Sequence, residues 1–256
     1  MQKYSKIQAQ LDEIKERTSQ ILNNNWFFFS YFDREKNCQL SYEKVIGEFL
    51  IYSLFSKDKN LYFKVLKEDF GLDRCWQRLQ ELSTKYSVSY SYLKTNEKLD
   101  RKWITRQNEN CYQELHVLLN RSEVMYEDDL YRCNYLDLYN FTHDIFWGLD
   151  FGNISLKDIF EHDIILEIFN KAIKNYYFSA LCKHYDLASE NIIVLLILLD
   201  EMDDKCKEKV YRIFNTFYVT IAKPILEQEY NFKENYKDYH TILVLGLLGN
   251  LYEYQK

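Results

Sequence analysis

The chain has 256 residues, 33 basic and 39 acidic side chains, a net charge of −6 and a single proline. Hydrophobic residues make up 47% of it and aromatic residues 17%, which excludes a disordered, collagen-like or low-complexity chain and leaves ample material for a core. Basic and acidic side chains are interleaved with no basic stripe, so nucleic acid is not an expected partner. The longest aliphatic runs, Ile192–Leu199 and Ile242–Leu248, fall far short of the ~20 apolar residues of a membrane span, so no membrane is expected either.

Helical periodicity begins at the N-terminus. Ile7, Leu11, Ile14, Thr18, Ile21 and Leu22 form one amphipathic stripe, and the Asn23-Asn24-Asn25 run is expected to end it. No apolar signal region follows Met1, and Trp26 to Phe29 is too short to be one, so a cytoplasmic location is expected. A second helix is expected after Ser41, which can cap it, with Val45, Ile46, Phe49, Leu50 and Leu54 turned inward. Further helices are predicted over roughly 59–69, 73–86, 99–119 and 128–147. The alternation over Tyr86 to Leu93 allows a short strand or an extended loop.

Beyond Gly148 and Gly152, Ser155-x-x-Asp158 has the form of a capping box. It predicts a helix running to about Lys183, with a break near His162. Asp186 or Ser189 can cap the next helix, which carries the Ile192–Leu199 run. A helix near 205–223 should end or kink at Pro224, and a last one should span about Asp238 to Tyr252.

These elements predict an all-α fold: a single domain over 1–256, with a looser N-terminal part, 1–95, and a motif-bearing part, 96–256. Short connections imply antiparallel hairpins stacked as an α/α solenoid or a partly closed α/α toroid, although no repeat of fixed length supports a strict array. Cys38, Cys75, Cys111, Cys133, Cys182 and Cys206 contain no C-x-x-C pair and read as reduced thiols, with no zinc site. The absence of G-x-G-x-x-G and P-loop motifs argues against a dinucleotide or nucleoside triphosphate site.

Three stretches carry chemistry-bearing residues. Phe141 to Gly152 sets His143, Asp144 and Asp150 among large aromatics, where ionisable groups need partners. Tyr185 to Glu190 opens a helix with Asp186 and Glu190. Asp238-Tyr239-His240-Thr241 places an imidazole at the start of an apolar helix. Together the three resemble a family of uncharacterised bacterial all-helical proteins with a Thr-His…Phe…Asp-Phe-Gly stretch, an Asp-Leu…Glu helix start and a Tyr-His-Thr near the C-terminus. Thr142, His143, Phe146, Asp150, Phe151 and Gly152 match the first, Asp186, Leu187 and Glu190 the second, and Tyr239, His240 and Thr241 the third. The resemblance covers the C-terminal half and brings no known activity. It implies that the three stretches belong to one site.

The expectation is therefore an enzyme-like site in a helical cavity. His143 and His240 act as the acid–base pair, Glu190 orients them, and Asp144 or Asp150 contacts the substrate. No cofactor is expected for it, and the ligand would be a small molecule or a peptide. One geometric demand stands out. Glu190 and His240 open their helices, whereas a helix starting at Asn134 would hold His143 ~13 Å from its end, so an offset along the stack must close the gap.

Two alternatives use the same residues. In a helical scaffold, an aromatic face that includes Tyr131, Tyr135 and Tyr139 binds a protein or peptide without chemistry. In a metal-dependent HD-type phosphohydrolase, His116, His143-Asp144 and a later Asp such as Asp200 hold a divalent metal. Cys182 and His184, two residues apart, point to different helix faces and do not pair.

Overall fold

The computed structural model describes residues 2–29, 48–49, 52, 56, 115, 119–120, 122–232 and 238–254. Its helices are α1 (Gln2–Asn24), α2 (Glu123–Tyr126), α3 (Tyr135–Gly148), α4 (His162–Leu181), α5 (Tyr185–Ile197), α6 (Asp204–Phe217), α7 (Lys223–Leu226) and α8 (Tyr239–Tyr254). The fold is all-α, with no strand among the described residues. The helices expected over 59–69 and 73–86, the Tyr86–Leu93 stretch and most of 99–119 lie outside the described residues, as do His116, Cys38, Cys75 and Cys111. Among the described residues no helix is long and apolar enough to cross a membrane.

The chain divides into two compact units. One combines Met1–Ser91 with Tyr218–Tyr254; the other is Tyr92–Phe217. In the first unit, α1 buries Ile7, Leu11, Ile14 and Leu22, the stripe read from sequence, and packs along α8. Thr18 lies on that buried face and donates its hydroxyl to the Ile14 carbonyl at 2.8 Å, so its polar atom stays satisfied. The approach of the two helices is close because α8 offers glycine: a Cβ on Gly249 would lie 2.6 Å from the Lys15 backbone nitrogen. An aromatic cluster of Phe28, Phe29, Phe49, Phe232 and Tyr239 closes one end.

Pro224 acts further upstream than a simple stop. Residues Tyr218–Ala222 form a π-helical turn, and Pro224 sits in the first turn of the short α7. The proline lacks an N–H and its ring collides with the carbonyl four residues back, Thr220. Widening the preceding turn to π geometry removes that collision, so the α-helix stops at Phe217 rather than near 223.

In the second unit the helix expected over 128–147 starts seven residues later. Asn134 caps α3 by accepting the Asp137 N–H at 3.0 Å, and α2 is a separate turn before it. Ser155 heads only a 3₁₀ turn, Leu156–Asp158; the expected break near His162 is the true start of α4. Helix α4 ends in a Schellman motif built without glycine. Lys183 takes a left-handed φ of 61°, its N–H bonds the Ala180 carbonyl, and the His184 N–H bonds that of Ser179 at 2.9 Å. The turn reverses the chain directly into α5, which is buried from Leu187 through Ile197.

Candidate functional site

The geometry of α3 and α5 is fixed by two polar contacts that advance together. Tyr139 donates its hydroxyl to Asp186 at 2.6 Å, and His143 Nε2 lies 3.3 Å from Glu190 Oε1. A step of four residues on one helix matches a step of four on the other, so α3 and α5 run parallel and in register, with α4 as the connection between them. The first turn of α5 lies beside the middle of α3, one turn short of His143. That is the offset needed to bring a mid-helix imidazole to a residue near a helix start.

Glu190 is the buried partner. Its side chain is 2% exposed and that of His143 is 30% exposed. Burying a carboxylate costs several kcal/mol unless it is hydrogen-bonded, and Thr142 supplies a bond: its hydroxyl lies 2.5 Å from Glu190 Oε2. The Thr142 hydroxyl also lies 2.8 Å from the Tyr139 carbonyl, so its single proton has two acceptors in reach. With the carboxylate accepting from Thr142 on one oxygen, its other oxygen accepts from the imidazole. With the carboxylate as acceptor, a neutral His143 carries its proton on Nε2.

The neighbouring groups are held just as firmly. Burial and the Asp186 carboxylate push the Tyr139 phenol far above its ordinary range, so Tyr139 remains a donor to Asp186 at any working pH. Asp186 is thereby occupied as an acceptor. It sits in the first turn of α5, while the N-cap position belongs to His184, which makes no side-chain cap. The rings of Tyr139, Phe146 and Trp147 surround His143 at centroid distances of 6.3, 6.1 and 6.4 Å.

Behind this aromatic wall the backbone is strained. Asp150, Phe151 and Gly152 all adopt positive φ, at 46°, 52° and 93°. Non-glycine residues in this region cost about 1–3 kcal/mol each. Phe151 offsets part of that cost by complete burial, stacking on Phe146 at 5.2 Å and meeting Trp147 edge-on at 5.0 Å. The Asp-Phe-Gly stretch is therefore a left-handed turn that braces the rings three and four residues beyond His143. Asp150 itself accepts from Asn153 Nδ2 at 3.1 Å. Asp144 is buried, 3% exposed, and sits one residue, about 100°, around the helix from His143.

His240 belongs to the other unit, and its carboxylate there is Glu48. His240 Nδ1 lies 3.3 Å from Glu48 Oε2, with side-chain exposures of 28% and 21%. Tyr239 donates its hydroxyl to the same oxygen at 2.6 Å. The two units thus use one local construction: a hydroxyl-bearing residue and the histidine after it both reach a single glutamate. Sequence reasoning missed Glu48, which falls on the expected second helix beside Phe49 with nothing local to mark it. Tyr139 was legible only as part of an aromatic stripe, although its place four residues before His143 puts both on one helix face.

Among the described residues no group of three His, Cys, Asp or Glu side chains is placed to hold a metal ion. Asp200, the third member of the HD-type reading, is exposed on the turn after α5. Compared with protein-family models, curated proteins and solved structures, the chain matches none.

Proposed function

We propose that the chain is a cytoplasmic acid–base enzyme in which His143 exchanges the proton and Glu190 orients it. The observation that carries this reading is the asymmetry of the pair: a part-exposed imidazole 3.3 Å from a carboxylate that is shielded from water. A ligand reaches the imidazole through its exposed part. When the ring takes a proton, the positive charge forms beside Glu190, whose attraction is little screened where water is excluded. Thr142 holds the second carboxylate oxygen, so the acceptor does not rotate away during the transfer. The aromatic rings around the site favour a small molecule or peptide with an apolar group next to the reacting atom. A reducing compartment agrees with Cys133, Cys182 and Cys206, which are free thiols.

The test uses a generic acyl ester, p-nitrophenyl acetate, together with diethyl pyrocarbonate labelling mapped by mass spectrometry. We expect His143 to label, and ester turnover to fall at least tenfold in His143→Gln and by a smaller factor in Glu190→Gln. Equal turnover in wild type and His143→Gln, or a His143 that resists labelling in the folded protein, would overturn the reading.

A second reading, a helical scaffold for a protein or peptide partner, draws on one observation. Tyr131, Tyr135, Tyr177 and Leu181 are exposed, and Tyr131 and Tyr135 lie against Phe178, which follows Tyr177, and His184, three residues after Leu181. Exposed apolar groups grouped in this way mark interaction surfaces.

A further inference from the structure

A cleft of about 590 Å³ is lined by α4, α2 and the loop after α2. Its volume is that of a small-ligand site. Asp163 and Glu167 line the part of its wall nearer the start of α4, and Lys171 and Lys174 with Asp128 the part further along, with Asn170 between them. Asp163 and Glu167 make no ion pair among the described residues.

The basic end is a built feature. The Lys171 side chain is only 8% exposed, a degree of burial that an ammonium group tolerates only when paired. It donates to the Glu127 carbonyl at 3.1 Å and approaches Asp128 Oδ1 at 3.4 Å. Lys174 approaches the same Asp128 oxygen at 3.1 Å. Two ammonium groups therefore converge on one oxygen of a carboxylate that is itself 88% exposed. Each ammonium has three N–H donors, and the recorded contacts occupy only part of the set. One carboxylate does not neutralise two cations, so the end keeps a positive charge. Asp128 demonstrates that a carboxylate oxygen fits against both lysines.

The spacing of the two ends sets the ligand's length. Glu167 and Lys171 are one turn apart, a rise of about 6 Å, and their neighbours Asp163 and Lys174 extend the separation. Two or three residues of extended peptide span about 7–10 Å. The geometry points to a binding site for the zwitterionic ends of a di- or tripeptide: the C-terminal carboxylate between Lys171 and Lys174, the N-terminal ammonium against Glu167 and Asp163. Asn170 is placed to bond the peptide group between them, and Met125 and Leu166 provide apolar surface for side chains. This site makes no use of His143 or Glu190.

The test is calorimetric titration of the full chain with Ala-Ala, with N-acetyl-Ala-Ala and with Ala-Ala amide. Ala-Ala is expected to bind, and each blocked form to bind at least tenfold more weakly. Because Lys174 and Glu167 are exposed, Lys174→Gln and Glu167→Gln are the informative variants, checked by circular dichroism for retained helix. Lys174→Gln should weaken Ala-Ala but leave the amide unchanged; Glu167→Gln should weaken Ala-Ala but leave the acetylated form unchanged. Failure of Ala-Ala to bind at millimolar concentration, or equal binding of the blocked forms, would each overturn the assignment.

Discussion

The His143 imidazole and the Glu190 carboxylate, 47 residues apart in the chain, meet at 3.3 Å because α3 and α5 run parallel with an offset of about one turn. That single register places a part-exposed imidazole against a buried carboxylate. The same register places Tyr139 on Asp186, so the two contacts share a common cause. Either can be perturbed to test it.

Thr142 provides the most direct measure of how Glu190 is held. Its side chain is fully buried, and Thr142→Val keeps the shape while removing the donor to the carboxylate. A hydrogen bond to a charged group contributes about 2 kcal/mol, so urea denaturation should show a loss of that order. Thr142→Ser should restore most of it. Equal stability of the Val and Ser variants would show that the hydroxyl does not support Glu190.

Alkaline pH should act through the buried phenols. Burial, the first cause, pushes Tyr176 up to about 12; burial together with a hydrogen bond to Glu13 does the same for Tyr218, also to about 12. Tyr139 lies higher still. An unfolded tyrosine ionises near 10. The folded state therefore holds these protons more tightly than the unfolded state, and stability is full below pH ~10 and lost as pH rises through about 12. Ultraviolet titration should show a late-ionising class of tyrosines, and denaturation midpoints should fall over the same interval. A single early ionisation step for all tyrosines would contradict this.

Lys183 carries the left-handed position of the Schellman motif at a residue with a Cβ, φ 61°. Glycine has no steric penalty there. Lys183→Gly should therefore stabilise the protein by about 1 kcal/mol, seen as a higher melting temperature with unchanged helix content. Lys183→Val should move the opposite way, because a β-branched side chain tolerates positive φ worst.

Glycines in the helices differ in what a methyl group would meet. At Gly249 the added Cβ would face the Lys15 main chain at 2.6 Å, and at Gly148 the nearest atom is Leu115 Cδ2 at 2.8 Å. Backbone cannot step aside, whereas the Leu115 δ-carbons can change rotamer, although Leu115 Cβ at 3.0 Å cannot. Alanine also gains about 1 kcal/mol of helix propensity over glycine, against an overpacking cost of about 1–3 kcal/mol. Gly249→Ala should be clearly destabilising and Gly148→Ala less so, as chemical denaturation of the two variants will show.

The sequence alone determined the helical class, because periodicity of apolar residues is a local property that no distant contact has to supply. Ile7, Leu11, Ile14 and Leu22 mark α1, and the wholly apolar run of α5 marks a buried helix, from composition alone. The sequence also marked His143 and His240 as residues needing partners, since an ionisable group among large apolar side chains is costly wherever the chain goes. Only the tertiary structure decided which partners they have. Glu190 serves His143 and Glu48 serves His240, because partner choice depends on helix register and side-chain direction rather than on spacing. Asp186 shows the same limit in miniature: its sequence position suggests a helix cap, but a phenol 47 residues away takes its carboxylate instead.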